Sequence, residues 1–319
     1  MKFAVTGSSG FIGRNLIKDL SKRGISYLAF SRQLASSPQN WLPNTLYVDY
    51  SDVDNLQKSL YGCDCVVHLA GLAHQSRISA SRAEISCNSA NVDTLANMAL
   101  AASKVGVKKF IFISTIGVLG RLTQGEAFSD LSTPHPTSPY SISKLEAEFA
   151  LQKISDLTSL PFVVLRPPLV YGENCPGNLA RLISLIRLFP VLPFWGVDCM
   201  RSFLSVNHLS DMIIRSAFSA DILNDTYVLS DSVDLSLRDV FLSLIHGLGK
   251  SPRMLVDVDL SLLSFASRLV GRQDAFLQLS SELLVDSSRF CEVANWQPFL
   301  DPCAELELTA KSFLVSPSI

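Results

Sequence analysis

Tyr140 and Lys144, read as Tyr-Ser-Ile-Ser-Lys, stand four residues apart, the spacing that sets two side chains one above the other on a helix. Ser138 and Pro139 precede them. They offer a capping hydroxyl and a proline for the first turn, so a helix is predicted from Pro139. A free phenol has a pKa near 10, and a nearby ammonium and a nicotinamide cation both favour the phenolate. The pair therefore suits a general base or acid at an alcohol or ketone, with Lys144 also able to bond a ribose. Tyr-x-x-x-Lys alone arises easily by chance. Thr115 adds weight: it follows the apolar run Phe110–Ile113, at the carboxyl end of a predicted strand, where open α/β sheets place their ligands. Its hydroxyl can hold the reacting oxygen while Tyr140 moves the proton. Ser114 is the second candidate for that role.

Such chemistry needs a hydride carrier, and the N-terminus offers a seat for one. In Thr6-Gly7-Ser8-Ser9-Gly10-Phe11-Ile12-Gly13, Gly7 permits a tight turn out of a strand, Gly10 lets backbone approach a pyrophosphate, and Gly13 lets a helix pack on the strand. The helix start adds N–H groups and partial positive charge. A lone Gly-x-x-Gly-x-x-Gly is weak; between a predicted strand and a predicted helix it points to a dinucleotide. About twenty residues on, where a carboxylate would bond the ribose of NAD, stand Ser31 and Arg32. A guanidinium there suits a 2′-phosphate, so the cofactor is NAD or NADP with a lean to NADP. Asp49 ends the third predicted strand and fits either an adenine contact or a loop cap.

The elements that must hold these residues read as an α/β, Rossmann-type, doubly wound parallel sheet. Lys2–Thr6, Ser26–Phe30, Leu46–Val48, Cys65–Ala70, Phe110–Ile113 and Phe162–Leu165 are strand candidates. Phe11–Arg23, Asp52–Leu60, Ala90–Ala102 and the segment from Pro139 are helical. Short runs apolar on both faces, separated by helices, indicate a covered parallel sheet. After Pro167 strand signals thin out, to Tyr227–Leu229 and Arg253–Val258, and prolines multiply. The expected division is a cofactor-binding domain over residues 1–167 and a smaller, mainly substrate-binding lobe over 168–319. That boundary is soft, because such a lobe often returns a strand to the main sheet.

Composition sets the outer bounds. The 319 residues are 48% hydrophobic and 18% charged, with a net charge of −2. The chain is globular and carries no basic footprint for nucleic acid. Met1-Lys2 passes straight into a strand-like run, without the apolar stretch and cleavage site of a secretory leader. Leu179–Trp195 is apolar but broken by two arginines and two prolines, too short and interrupted for stable membrane insertion. Seven scattered cysteines have no zinc spacing, so no metal site is expected; an odd count without a leader suggests reduced thiols in a cytoplasm. Cys63 and Cys65 are expected on one face of a strand.

In order along the chain, Thr6–Gly13, Val66-Val67-His68-Leu69-Ala70-Gly71, Asn91-Val92-Asp93-Thr94, Ser114-Thr115, Tyr140-x-x-x-Lys144 and Leu165-Arg166-Pro167-Pro168-Leu169-Val170-Tyr171-Gly172 resemble an extended short-chain dehydrogenase/reductase of the NAD-dependent epimerase/dehydratase family. The likeness spans nearly the whole chain and leans to bacterial nucleotide-sugar 4-epimerases and 4-ketoreductases of surface-polysaccharide synthesis. It implies catalytic Thr115, Tyr140 and Lys144, and cofactor contacts at Phe11, Ile12, Leu69, Ala70, Gly71 and Pro167 beside the glycines. It implies a UDP-sugar held by Arg201 in Met200-Arg201-Ser202-Phe203-Leu204, by Asn178 and by Arg272, with Ser114 beside them. A homodimer through Asn91–Ala102 and Tyr140–Leu157 follows from the same likeness. The 4,6-dehydratases of the family carry Asp-Glu after the catalytic threonine; Ile116-Gly117 stand here, which argues against water elimination. The expected activity is UDP-N-acetylhexosamine 4-epimerisation. A single-use NADPH 4-ketoreductase is the near alternative, and a non-catalytic NAD(P)-binding regulator the distant one. His68 and His74 read as structural, with His74 also placed to touch substrate, and Asn91 as a backbone-fixing residue.

Overall fold

The computed structural model describes residues 1–32, 44–71, 89–189, 191–192, 199–251, 256 and 281–315. His74, Arg272 and the predicted strand at Arg253–Val258, apart from Val256, lie outside them.

Seven parallel strands form the main sheet: β1 (Lys2–Thr6), β2 (Ser26–Ser31), β3 (Thr45–Tyr47), β4 (Cys65–His68), β5 (Lys109–Ile113), β6 (Phe162–Arg166) and β9 (Asp225–Val228). Their order is β3-β2-β1-β4-β5-β6-β9. The order reverses between β1 and β4, the switch point at which such sheets open a ligand crevice. The Gly-rich turn leaves β1 there and Leu69–Gly71 leaves β4 beside it.

Alternation along the strands explains why both faces are covered. Phe3, Val5, Val67, Ile111 and Ile113 point to one side, where α1 (Phe11–Lys22) and α6 (Val206–Phe218) pack. Ala4, Val66, Phe110 and Phe112 point to the other, beneath α2 (Val53–Leu60), α3 (Thr94–Lys104) and α4 (Pro139–Thr158). Cys63 and Cys65 do not share a face, contrary to the sequence expectation. Gly62 takes a positive φ of 74°, the strand begins only at Cys65, and the two thiols join opposite cores. A buried cation closes α6: Lys109 Nζ donates to the carbonyls of Ser216, Ser219 and Ile222, a C-terminal cap made from a distant strand.

A second sheet, ordered β10-β8-β7, joins β7 (Leu169–Tyr171), β8 (Met200–Ser205) and β10 (Asp234–Ser236). With α5 (Asn178–Leu188), α7 (Leu237–Gly247) and α9 (Pro302–Val315) it encloses a third core; α8 (Ser288–Val293) instead packs Phe290 on the main sheet. The strand signal at Tyr227–Leu229 proves to be β9, which pairs with β6 from Val163↔Asp225 to Arg166↔Val228 and so lies in the main sheet. Among the described residues no helix is long and apolar enough to cross a membrane.

Candidate active site

The glycine turn is closed by backbone contacts that leave no room for side chains. A Cβ on Gly7, whose φ is +65°, would lie 2.8 Å from the Leu69 carbonyl carbon and the Ala70 nitrogen, and one on Gly13 would lie 2.3 Å from the Gly7 oxygen. Gly10 is exposed at the start of α1 and supplies no side-chain cap. Helical N–H groups near Phe11, Ile12 and Gly13 are therefore presented outward in the manner that suits a pyrophosphate. Thr6 Oγ1 accepts from the Leu69 and Ala70 N–H groups, which ties the two strand ends of the crevice together. Gly172 stands near this turn, since a Cβ on it would be 3.5 Å from the Phe11 ring.

Ser31 and Arg32 close β2, Arg32 being exposed. Burial pushes the Tyr50 phenol well above its usual range, and the Arg32 charge opposes that push, so Arg32 stands near Tyr50. Asp49 turns its carboxylate onto its own loop, accepting from Ser51 N–H at 2.9 Å and Ser51 O–H at 2.7 Å. These bonds hold its carboxyl below the usual range. The side chain is a loop cap, one of its two sequence readings.

The helix that carries the phenol begins as its sequence predicts. Ser138 caps it, Ser141 answers in a capping box, and Pro139 fills the first turn. Lys144 is buried, donates to the Ile113 carbonyl at 2.8 Å, and stands 4.5 Å from the Phe112 ring centroid and 6.0 Å from that of Tyr140. Burial pulls its pKa down to about 8, against the charge of Glu148. A Cβ on Gly71 would meet Asn91 Oδ1 at 2.7 Å and Lys144 Nζ at 3.3 Å. The end of β4, the Asn91 amide and the Lys144 ammonium thus converge on one point.

The predicted helix from Ala90 opens as a wider π-helical turn, Ser89–Asp93, a departure frequent at functional sites. Asn91 Nδ2 donates to Ser143 Oγ at 2.8 Å, and Ser143 Oγ donates to the Tyr140 carbonyl at 2.9 Å. Asn91 is thereby linked to the first turn of α4. Ser143 itself carried no sequence signal, because the amide that bonds it comes from a turn 52 residues away.

Thr115 accepts from Gly117 N–H at 3.2 Å and caps a short turn, Ile116–Val118. The Ile116 N–H donates to the Pro167 carbonyl at 2.8 Å, which brings Pro167 beside Thr115. Ser114 Oγ and His68 Nε2 are the buried side-chain atoms without a hydrogen-bond partner among the described residues. The His68 ring lies against Phe110 and Phe112. Burial first, and the Lys144 charge second, hold its pKa down to about 3, so it is neutral and structural in character.

Asn178 is exposed at the start of α5, and Arg201 is half-buried on β8 with Nη1 donating to the Ser281 carbonyl at 2.7 Å. Burial lowers the Arg201 pKa. Both belong to the second sheet's layer rather than to the Gly71–Asn91–Lys144 cluster.

A crevice at the switch point of a parallel sheet, a glycine turn fitted to a dinucleotide, and a Tyr–Lys helix beneath it together define a nicotinamide-dependent short-chain dehydrogenase/reductase. The sequence matches the NAD dependent epimerase/dehydratase family over residues 3–221, and the chain belongs to that family as an extended enzyme of the class. A UDP-glucose 4-epimerase of Vibrio cholerae is 30% identical over 315 residues, covering 97% of this chain and 94% of that protein. Two solved structures share the fold. A UDP-N-acetylglucosamine 4-epimerase from Bacillus cereus has a TM-score of 0.78 at 19% identity, covering 100% of this chain and 98% of the other. A Bordetella bronchiseptica enzyme in complex with NAD and UDP has a TM-score of 0.76 at 19% identity, covering 98% and 94%.

Proposed function

We propose that this enzyme interconverts the two configurations at carbon 4 of a UDP-sugar, with a UDP-N-acetylhexosamine as the substrate class. The observation that carries the reading is Lys144 Nζ set between the Tyr140 ring and the Gly71 end of the cofactor crevice. The activities of the similar 4-epimerases support the nucleotide-sugar class.

In this reading Tyr140 takes the proton of the carbon-4 hydroxyl and later returns it. Thr115 Oγ1 already accepts from Gly117 N–H, which leaves its O–H to donate to the reacting oxygen. Ser114 Oγ, buried and without a hydrogen-bond partner among the described residues, supplies a second contact. The Lys144 ammonium favours the phenolate and bonds the ribose. Bound NAD(P) would accept and return the hydride, held by the Gly7–Gly13 turn and Leu69–Gly71. Arg201, Asn178 and Arg272 would grip the diphosphate while the sugar turns over, a use of remote binding energy that suits this chemistry. Residues 168–319 are thus the main sugar-nucleotide side. Ile116 and Gly117 adjoin Thr115 and neither can act as acid or base, which weighs against elimination.

The alternative is a 4-ketoreductase that uses NADPH once, favoured by exposed Arg32 at the end of β2. Absorbance and mass spectrometry on denatured, purified protein separate the two. Retained stoichiometric NAD is expected for the epimerase. An empty protein that prefers NADPH, and loses that preference in Arg32→Glu, would overturn it. A cytoplasmic location and a homodimer complete the reading; the homodimer is supported by Phe149 and Leu157 on α4 and Leu100 on α3, which are 64%, 76% and 37% exposed. Phe149→Glu should sediment as a monomer; an unchanged species would remove α4 from the interface.

A further inference from the structure

Glu148 lies one turn beyond Lys144 on α4, and its carboxylate is buried. Arg166, the last residue of β6, donates to it through Nε at 3.1 Å and Nη2 at 2.6 Å, with side chains only 8% and 7% exposed. The two-pronged geometry fixes orientation as well as distance. Lys144 makes the matching strut one turn earlier, to the last carbonyl of β5. The helix that carries Tyr140 is therefore held to two adjacent strand ends, β5 by Lys144 and β6 by Glu148. Arg166 precedes Pro167, whose carbonyl accepts from Ile116 beside Thr115. One buried ion pair thus joins the Tyr–Lys helix to the strand end next to Thr115. A buried pair adds little net stability over an apolar substitute, so its presence here calls for a role.

We propose that Glu148 and Arg166 are positioning residues, which seat the Tyr140–Lys144 helix over the strand ends and keep Lys144 in its ammonium form. The assignment rests on the proton-transfer role given to Tyr140 and Lys144 above. The charged and titratable groups facing Lys144 are Tyr140 and Glu148 on its own helix and His68 on β4; Arg166 on β6 faces Glu148. His68 is neutral, so among the described residues the Glu148 carboxylate is the charge that opposes the desolvation of the ammonium. Without it, Lys144 loses its proton at lower pH. A neutral amine cannot favour a phenolate.

Two substitutions with opposite signs test this. Glu148→Gln keeps the shape and leaves Arg166 uncompensated. Arg166→Met leaves the carboxylate without its partner. The Lys144 titration, followed by carbon NMR of lysine-labelled protein without cofactor or sugar, should have its wild-type midpoint at about 8, where burial puts it. It should fall by about one pH unit in Glu148→Gln and rise in Arg166→Met, the size expected of a neighbouring charge. The alkaline limb of the kcat profile should move with it in each protein, while KM for the sugar nucleotide stays near wild type. Where a single variant fails to fold, Glu148→Gln/Arg166→Met leaves the core neutral and should titrate below wild type. A wild-type midpoint in the double variant, or shifts of one sign in both singles, would reduce the pair to a structural brace. Because the midpoint is read on the protein alone, a failure of the sugar assignment shows separately, as the expected midpoint shifts paired with no turnover of the UDP-sugar.

Discussion

Replacing Tyr140 with phenylalanine should lower kcat by about a hundredfold to ten-thousandfold, the range that a positioned general acid or base supplies. The protein should keep its fold and its cofactor. The reason is local. The phenol hydroxyl is the only atom removed; the start of α4 is held by the Ser138–Ser141 capping box and Pro139, and the Asn91–Ser143 chain reaches the Tyr140 backbone rather than its ring. Lys144 keeps its bond to the Ile113 carbonyl. A proper test therefore measures turnover and cofactor content on the same preparation. Full turnover in the variant would move the proton to Ser114 or Thr115. Lost cofactor would show that the phenol serves binding rather than chemistry.

The largest expected loss of stability comes from elsewhere, at Asp231. This residue is fully buried. Its carboxylate accepts from the Tyr171 O–H at 2.8 Å, from the Ser205 N–H at 2.9 Å, and bonds His208 Nδ1 at 2.6 Å. His208 Nε2 in turn accepts from the N–H groups of Phe299 and Leu300, so Nδ1 carries the proton and donates. Burial first, and the Asp231 charge second, hold the Tyr171 phenol far above its usual range. Asp231→Ala leaves three buried donors without an acceptor. The expected cost is about 3–5 kcal/mol, as for a buried charged network that loses one member. The denaturant midpoint should fall accordingly. A loss under about 1 kcal/mol would show that water enters and replaces the carboxylate.

These two sites differ in how far the sequence discloses them. Tyr140 and Lys144 are legible because spacing, a Ser-Pro start and the strand end at Ser114-Thr115 are local patterns with local physical causes. The strands of the main sheet are legible for a related reason: runs such as Phe110–Ile113 are apolar at every position, as a sheet covered on both faces requires. The Asp231 network joins residues 60 and 23 positions apart, and nothing near Tyr171, Ser205 or His208 announces the partner. Glu148 repeats the helical spacing of Tyr140 and Lys144, but its arginine comes from β6. The Cys63–Cys65 expectation failed because one positive-φ glycine delayed the strand. The choice between NAD and NADP stays with Arg32, an exposed side chain whose surroundings local sequence does not specify.

β9 brings a consequence for how such an enzyme can change. The chain leaves the main sheet after β6, builds β7 and β8 of the second sheet, returns to lay β9 against β6, and departs again for β10. A fragment that ended at Pro167 would leave the β6 edge unpaired, with its N–H and C=O groups open to association. The second sheet is therefore not a detachable cassette that can be exchanged between relatives at one junction. Substitution within the strands' connecting loops leaves the β6–β9 pairing intact, whereas an exchange of everything after Pro167 replaces one of its two strands.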